Sequence, residues 1–307
     1  MHMIKREVYE EALYQACRRA TTVISPDVEK AFEDAIAVET NPNAKRGFEA
    51  TLSSLRKSAA RDNVVCCDTG WPMYFFKIGT DCELEGGVLG LENAARNAVA
   101  RCTKDGYLRA NMKHPLTGYD PGNNCGPNAP IMEVKFAPGA DLEITYCAKG
   151  GGSECFGGTR QQVIAFADGI KAYEKCIIDW YAEATWQGAT CPPSVLGIGI
   201  GGTANESANL AKQAAVLRAI GSHNSSPEFA KMEDDLYSVL NDLNVGIMGV
   251  GGKTSVFAVN VEYAFTHLDG IVVSMASNCM VARRASYRVK ADSTMEVMEN
   301  AMWFGDR

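Results

Sequence analysis

The sequence predicts a mixed α/β fold of the α+β kind, with a largely helical N-terminal part followed by β-sheets flanked by helices. Three observations carry this. Residues 1–62 show helical period with few strand formers. From residue 64 onward, short apolar or alternating runs interleave with amphipathic stretches. The 29 glycines cluster in pairs and triplets between those runs, which marks tight turns and close backbone approaches rather than disorder. At 307 residues the chain has enough core to fold without staples, and it reads as a single domain over 1–307.

Residues 3–38 read as two helices parted near TTVISPDVEK, where Ser25 and Pro26, with Glu29 behind them, make a helix start. NAKRGFEATLSSLRKSAARD is a third helix, and the three are expected to form a small N-terminal cap. WPMYFFKIG is a strand ended by Gly79, and LENAARNAVARCTKDG a helix closed by Gly106. Residues 107–130 have no period; a loop of that length is often functional. IMEVKF and LEITYCA alternate like paired strands joined across APGAD. RQQVIAFADGIKAYEKCIIDWYAEA reads as a helix interrupted at Gly169. VLGIGIGG is a strand, NESANLAKQAAVLRAIG and EFAKMEDDLYSVLNDL are helices, and SVFAVNVEYA and GIVVSMAS return to strand.

Thirty basic against 37 acidic residues give a net charge of -7, which argues against a phosphate backbone as partner, so no nucleic acid is expected. The start, MHMIKREVYEEALYQACRRA, lacks the apolar stretch of a signal peptide. No run of 18 uncharged apolar residues exists, so no membrane span is expected and the cytoplasm is the expected location. Eleven cysteines, an odd number at irregular spacings, suit reduced thiols better than a disulfide framework.

Three segments could carry chemistry. In VVCCDTGWP, Asp68-Thr69-Gly70 is either a structural Asx turn or a place for an acid/base carboxylate. An aspartic protease needs two such carboxylates sharing a proton, and only one such turn is present. In CPPSVLGIGIGGTANESANL, Gly197, Gly199 and Gly202 match a dinucleotide fingerprint weakly, because they lie inside the strand and no clear acid follows at the right distance. Cys191 stands before two prolines that fix the chain's exit, which suits a rigid ligand, although a lone cysteine is more often a small buried apolar residue. In SNCMVARRAS, Cys279 ends an apolar run, and Arg283 and Arg284 are either a solvated pair or carboxylate-binding guanidiniums. No C-x-x-C pair exists and the four histidines share no motif, so finger-type zinc is unsupported. Pattern alone reaches a small-anion enzyme, with a thiolate-bound metal as one reading.

Taken in order, CCDTG, GYLRAN, AKGGGSE, CPPSVLGIGIGGT, GGKTSVFAV and CMVARRAS resemble the iron-sulfur-dependent class I fumarases and L(+)-tartrate dehydratases. The resemblance runs from about residue 45 to 295, and the length resembles the separate alpha subunit of the two-subunit forms. It implies a class I fumarase alpha-type domain. It also implies a separate beta subunit that completes the active site, in an α2β2 heteromer. Cys66, Cys191 and Cys279 are the implied ligands of a [4Fe-4S] cluster, with one iron left open. Asp68 is the implied acid/base and Arg109 the implied carboxylate-binding arginine. Gly151 supplies a close backbone contact and Lys253 cation support. The implied reaction is reversible addition of water on a small hydroxy dicarboxylate, tartrate-, malate- or fumarate-like.

Three departures stand out. Cys67 replaces a substrate-facing glutamine, Cys155 replaces an asparagine, and NNCGPNAP keeps Gly126 and Asn128 but alters its middle. Cys67 is also an alternative to Cys66 as ligand. A cluster-dependent isomerase, or a non-catalytic iron-sulfur sensor, remains open on the same scaffold.

Overall fold

The computed structural model describes residues 3–186 and 190–304. In chain order its elements are α1 (Arg6–Thr22), α2 (Pro26–Val38), α3 (Pro42–Ala59), β1 (Trp71–Gly79), α4 (Gly87–Lys104), β2 (Ile131–Ala137) and β3 (Leu142–Lys149). There follow α5 (Gly151–Cys155), β4 (Thr159–Ile164), α6 (Gly169–Trp186), β5 (Ser194–Ile200), α7 (Ala204–Leu217) and α8 (Pro227–Asp242). The last four are β6 (Val256–Tyr263), β7 (Ile271–Asn278), β8 (Arg283–Val289) and β9 (Met295–Met298). The architecture is mixed α/β, as the sequence predicts.

The chain divides into two compact units. Unit 1 takes Met1–Ser25, Leu55–Lys149 and Arg283–Gly305; unit 2 takes Pro26–Ser54 and Gly150–Ala282.

Unit 1 is built on a five-stranded sheet of order β2-β1-β3-β8-β9. β1 is buried almost throughout, so it takes an interior position with both edges paired. Tyr74 and Phe76 point one way and join Leu13, Leu91, Val99, Ile144 and Tyr146 in a core under α1 and α4. The Tyr74 and Tyr146 rings meet edge-on at 5.0 Å. The buried Tyr74 hydroxyl donates to the Leu13 carbonyl at 2.9 Å, so burial strands no donor. Phe75 points the other way, against Trp303 at 5.3 Å. α4 closes as its sequence implies: Gly106 is left-handed (φ +87°), and the Tyr107 amide donates back to the Cys102 carbonyl at 2.9 Å.

Unit 2 is built on a four-stranded sheet of order β4-β7-β5-β6. Leu196 and Ile198 of β5 face Tyr181 of α6 and Leu236 of α8 in its core. The alternate residues, Gly197 and Gly199, face α7. A Cβ there would lie 2.0 Å from the Ala211 carbonyl oxygen and 1.9 Å from that of Ser207. These glycines let a helix lie directly on the strand, which is what the weak nucleotide fingerprint records.

Three expectations are corrected. β2 and β3 do not pair with each other. β1 lies between them, parallel to β2 (Met73↔Ile131) and antiparallel to β3 (Trp71↔Lys149), because the most apolar strand takes the inside. Residues 159–164 are strand, not helix: the edge of β7 captures them, from Thr159↔Ala276 to Ile164↔Ile271. Gly169 therefore starts α6 rather than interrupting it. The three N-terminal helices do not form a cap of their own. α1 packs on the core of unit 1, whereas Phe32 of α2 meets Phe257 of β6 at 5.1 Å within unit 2.

Candidate active site

In unit 1 the chemistry-bearing residues collect at one end of the sheet. The register Trp71↔Lys149 and Ala148↔Arg283 sets the start of β1, the end of β3 and the start of β8 side by side. The CCDTG segment runs into that end. Asp68 Oδ1 accepts the Gly70 amide at 2.9 Å, an Asx turn that fixes the carboxylate's orientation. Gly70 is left-handed (φ +74°), and a Cβ there would sit 2.5 Å from the Lys149 carbonyl oxygen, so only glycine fits.

The turn also holds the YLRAN segment. Thr69 Oγ1, fully buried, accepts the Arg109 amide and the Asn111 side-chain amide, both at 3.0 Å. The Arg109 guanidinium donates to the Cys67 carbonyl at 3.0 Å, which lays it along the Asp68 turn. Asn124 secures the far side of the loop. Its Oδ1 accepts from the Asn111 and Met112 amides at 2.8 and 3.2 Å, and its Nδ2 donates to the Arg109 carbonyl at 2.8 Å and to Thr103 Oγ1 at 3.0 Å. Sequence reasoning missed Asn124. Its one signal is an asparagine run in a loop without period.

Arg283 resolves one open choice. It is buried, 3% exposed, and its Nη1 donates to the Asp68 carbonyl. Its Nε and Nη2 have no hydrogen-bond partner among the described residues. A buried guanidinium with two open donors costs stability unless an anion fills the fork, and a carboxylate matches that geometry. Nearby, burial pushes the Cys147 thiol up to about 12, opposed in part by the Arg284 guanidinium.

In unit 2 four loops leave one end of the sheet. Cys191, left-handed at φ +48°, precedes β5, and Cys279 follows β7. Because β5 and β7 are antiparallel with Val195 opposite Asn278, the two loops are neighbours. The Met280 amide donates to the Cys191 carbonyl at 3.2 Å. Cys279 is buried, with its Sγ 3.5 Å from the Val281 carbonyl oxygen. Gly151 opens α5, and the segment behind α5 joins the same end, the Ser277 amide donating to the Gly158 carbonyl at 2.7 Å. The loop before β6 arrives there too, the Met248 amide donating to the Pro192 carbonyl at 2.9 Å. Lys253, exposed, stands on that loop, held through its backbone amide by Glu39 at 2.9 Å.

Cys66, Cys67, Asp68 and Arg109 therefore fall together in unit 1, and Gly151, Cys191, Lys253 and Cys279 at one sheet end in unit 2. Among the described residues, the eleven cysteines are not joined in disulfides. Within neither unit, among the described residues, do three His, Cys, Asp or Glu side chains gather as around a metal ion. Unit 2 does offer neighbouring loops carrying two thiols among buried apolar Met280 and Val281, a donor set that suits iron-sulfur ligation.

Comparison with known proteins bears on the same segments. A protein-family model described as "Fumarate hydratase (Fumerase)" matches residues 10–288. A Methanocaldococcus jannaschii protein, provisionally named L(+)-tartrate dehydratase subunit alpha, is 32% identical over 287 residues, 93% of this chain and 99% of that protein. Proteins named L(+)-tartrate dehydratase subunit alpha from Escherichia coli and Shigella sonnei are each 30% identical over 277 residues, 90% of this chain and 89% of theirs. The motif-bearing turns and strand ends lie inside the matched region, and the chain belongs to the fumarate hydratase (Fumerase) family of hydro-lyases.

Proposed function

We propose that this chain is the alpha subunit of a hydro-lyase that reversibly adds or removes water on a small hydroxy dicarboxylate. Its cofactor in this reading is a [4Fe-4S] cluster held by Cys66, Cys191 and Cys279. The observation that carries the substrate class is Arg283, a buried guanidinium with an open fork whose third nitrogen is tied to the Asp68 turn. A diacid needs cationic donors at its carboxylates, and Arg109 on the same turn is a second.

Held by Cys66, Cys191 and Cys279, the cluster would supply Lewis-acid chemistry for loss of the substrate hydroxyl. Asp68 takes or gives the proton, its carboxylate held in one orientation by the Gly70 amide. Arg109 and Arg283 grip carboxylate, and charge building on the deprotonated diacid is stabilised by these fixed donors. Gly151 contributes a backbone contact, and Lys253 adds positive charge. Cys67, which is exposed, forms a smaller and less polar wall than an amide side chain and removes one hydrogen bond. Tartrate-, malate- and fumarate-like substrates all remain within this reading.

The names of the relatives support a beta subunit that completes the site, in a two-plus-two assembly. The two units are read as one catalytic domain over 1–307. A cytoplasmic location fits cysteines that are not joined in disulfides. Among the described residues, no helix is long and apolar enough to cross a membrane.

The test is conversion of a panel of hydroxy diacids by anaerobically purified chain, with and without the subunit encoded beside it. Turnover by the pair, and none by this chain alone, is expected. A cluster-loaded pair that converts none of them contradicts the hydro-lyase and leaves the sensor. Rearrangement without water exchange marks the isomerase.

A further inference from the structure

We propose that Asn124 is a positioning residue for Arg109: it ties the arginine's backbone to α4, so that the guanidinium is in place before a carboxylate arrives. The inference rests on the diacid reading of Arg109. Asn124 itself is 1% exposed, so it acts through its neighbours and not on a ligand.

Arg109 is exposed, and its guanidinium is held by the Cys67 carbonyl at 3.0 Å. An exposed arginine keeps many rotamers, so the place of its head follows the place of its backbone. That backbone stands at the neck of a bulge. Residues 113–120 are exposed throughout, and the chain turns back on itself there, the His114 amide donating to the Tyr119 carbonyl at 2.8 Å. Asn124 closes the neck. Its Oδ1 accepts from the Asn111 and Met112 amides, and its Nδ2 donates to the Arg109 carbonyl and to Thr103 Oγ1. A side-chain amide has two donors and an oxygen with two lone pairs, and here every one is engaged. Aspartate could not donate, and leucine could do neither. Asparagine also tolerates the left-handed backbone found at this position, φ +59°.

The far end of these bonds is a rigid helix. Thr103 lies in the last turn of α4, where its hydroxyl donates to the Val99 carbonyl at 2.8 Å. Arg96, about two turns earlier on α4, donates from Nη1 to the Gly126 and Ala129 carbonyls at 3.0 and 2.8 Å, which fixes the segment after Asn124. Exposed bulge and packed helix therefore meet at Arg109, and Asn124 couples it to the helix. A binding group fixed in advance loses less freedom when its ligand arrives, so the coupling shows as affinity for the diacid.

The test is a double-mutant cycle on the cluster-loaded pair of subunits, with the diacid that the wild type converts. Asn124→Gly suits the left-handed backbone and deletes the side chain; KM should rise about tenfold while kcat stays within about threefold. Arg109→Ala should raise KM about a hundredfold, and adding Asn124→Gly to it should change KM less than about twofold. A merely structural role would give the opposite pattern, a fall in kcat that adds to the loss of Arg109. Thr103→Val, on α4, removes one of the four bonds and carries the test if Asn124→Gly does not fold. It should raise KM about threefold, and not in the Arg109→Ala chain. An unmoved KM overturns the proposal, and so does a KM rise that persists in full without Arg109; both leave the hydro-lyase standing. A wild-type pair that converts no diacid overturns the hydro-lyase and this proposal together.

Discussion

Asp68 shows how a structural and a chemical reading of one residue can both hold. The Asx turn holds its carboxylate, and the Arg109 and Arg283 guanidiniums donate to the backbone carbonyls of Cys67 and Asp68 in the same turn. Asp68→Asn keeps an oxygen for the Gly70 amide, so the fold should persist. Turnover should fall about a hundredfold or more, checked by initial rates beside an unchanged unfolding midpoint. Cys147 tests the electrostatics away from the chemistry. Burial raises its thiol from an ordinary value of 9.0 to about 12, so it stays protonated and inert to alkylation at pH 8–9, while exposed Cys67 and Cys155 react. The sign on stability follows. Between pH 9 and 12 the unfolded thiol ionises and the folded one does not, so this contribution is full below pH 9 and is lost as pH rises. Mass spectrometry of iodoacetamide-treated chain against pH checks it. Residue identities at the site were legible because the motifs carry them. The state of Arg283 was not, because which guanidinium nitrogens find partners depends on the β3–β8 register.

Most elements were readable from period alone, and the failures over strand pairing have one cause. Strand pairing is decided by what lies between segments in space, and sequence adjacency suggested a β2–β3 hairpin that β1 splits. The strand at 159–164 was hidden because RQQVI runs straight into a helical pattern, and only the edge of β7 selects the extended form. α5 and β9 were too short to register. Just beyond the end of α7, an ion cluster ties elements of unit 2 together. Arg218 Nη1 donates to Glu233 Oε1 at 2.5 Å and to the Val261 carbonyl at 3.3 Å, and lies 3.5 Å from Glu262 Oε1, all buried. Removing the cation leaves buried carboxylates short of a partner. Arg218→Ala should cost about 3–5 kcal/mol, read as a lower urea midpoint at unchanged slope.

For the molecule as a whole, the sequence motifs do not respect the division into units. AKGGGSE passes from unit 1 to unit 2 between Lys149 and Gly150, and CMVARRAS returns between Ala282 and Arg283. That interleaving is why one long domain was the natural reading of the sequence, with no linker composition to mark a boundary. The proposed ligand set draws Cys66 from unit 1 and Cys191 and Cys279 from unit 2. The most direct measurement is iron and acid-labile sulfide in anaerobically purified full chain and its single cysteine variants. Cys66→Ser, Cys191→Ser and Cys279→Ser should each lose most of both, while Cys67→Ser and Cys155→Ser keep them. A wild-type chain that never retains sulfide, or a Cys66→Ser chain that keeps its full complement while Cys67→Ser loses it, would contradict that ligand set.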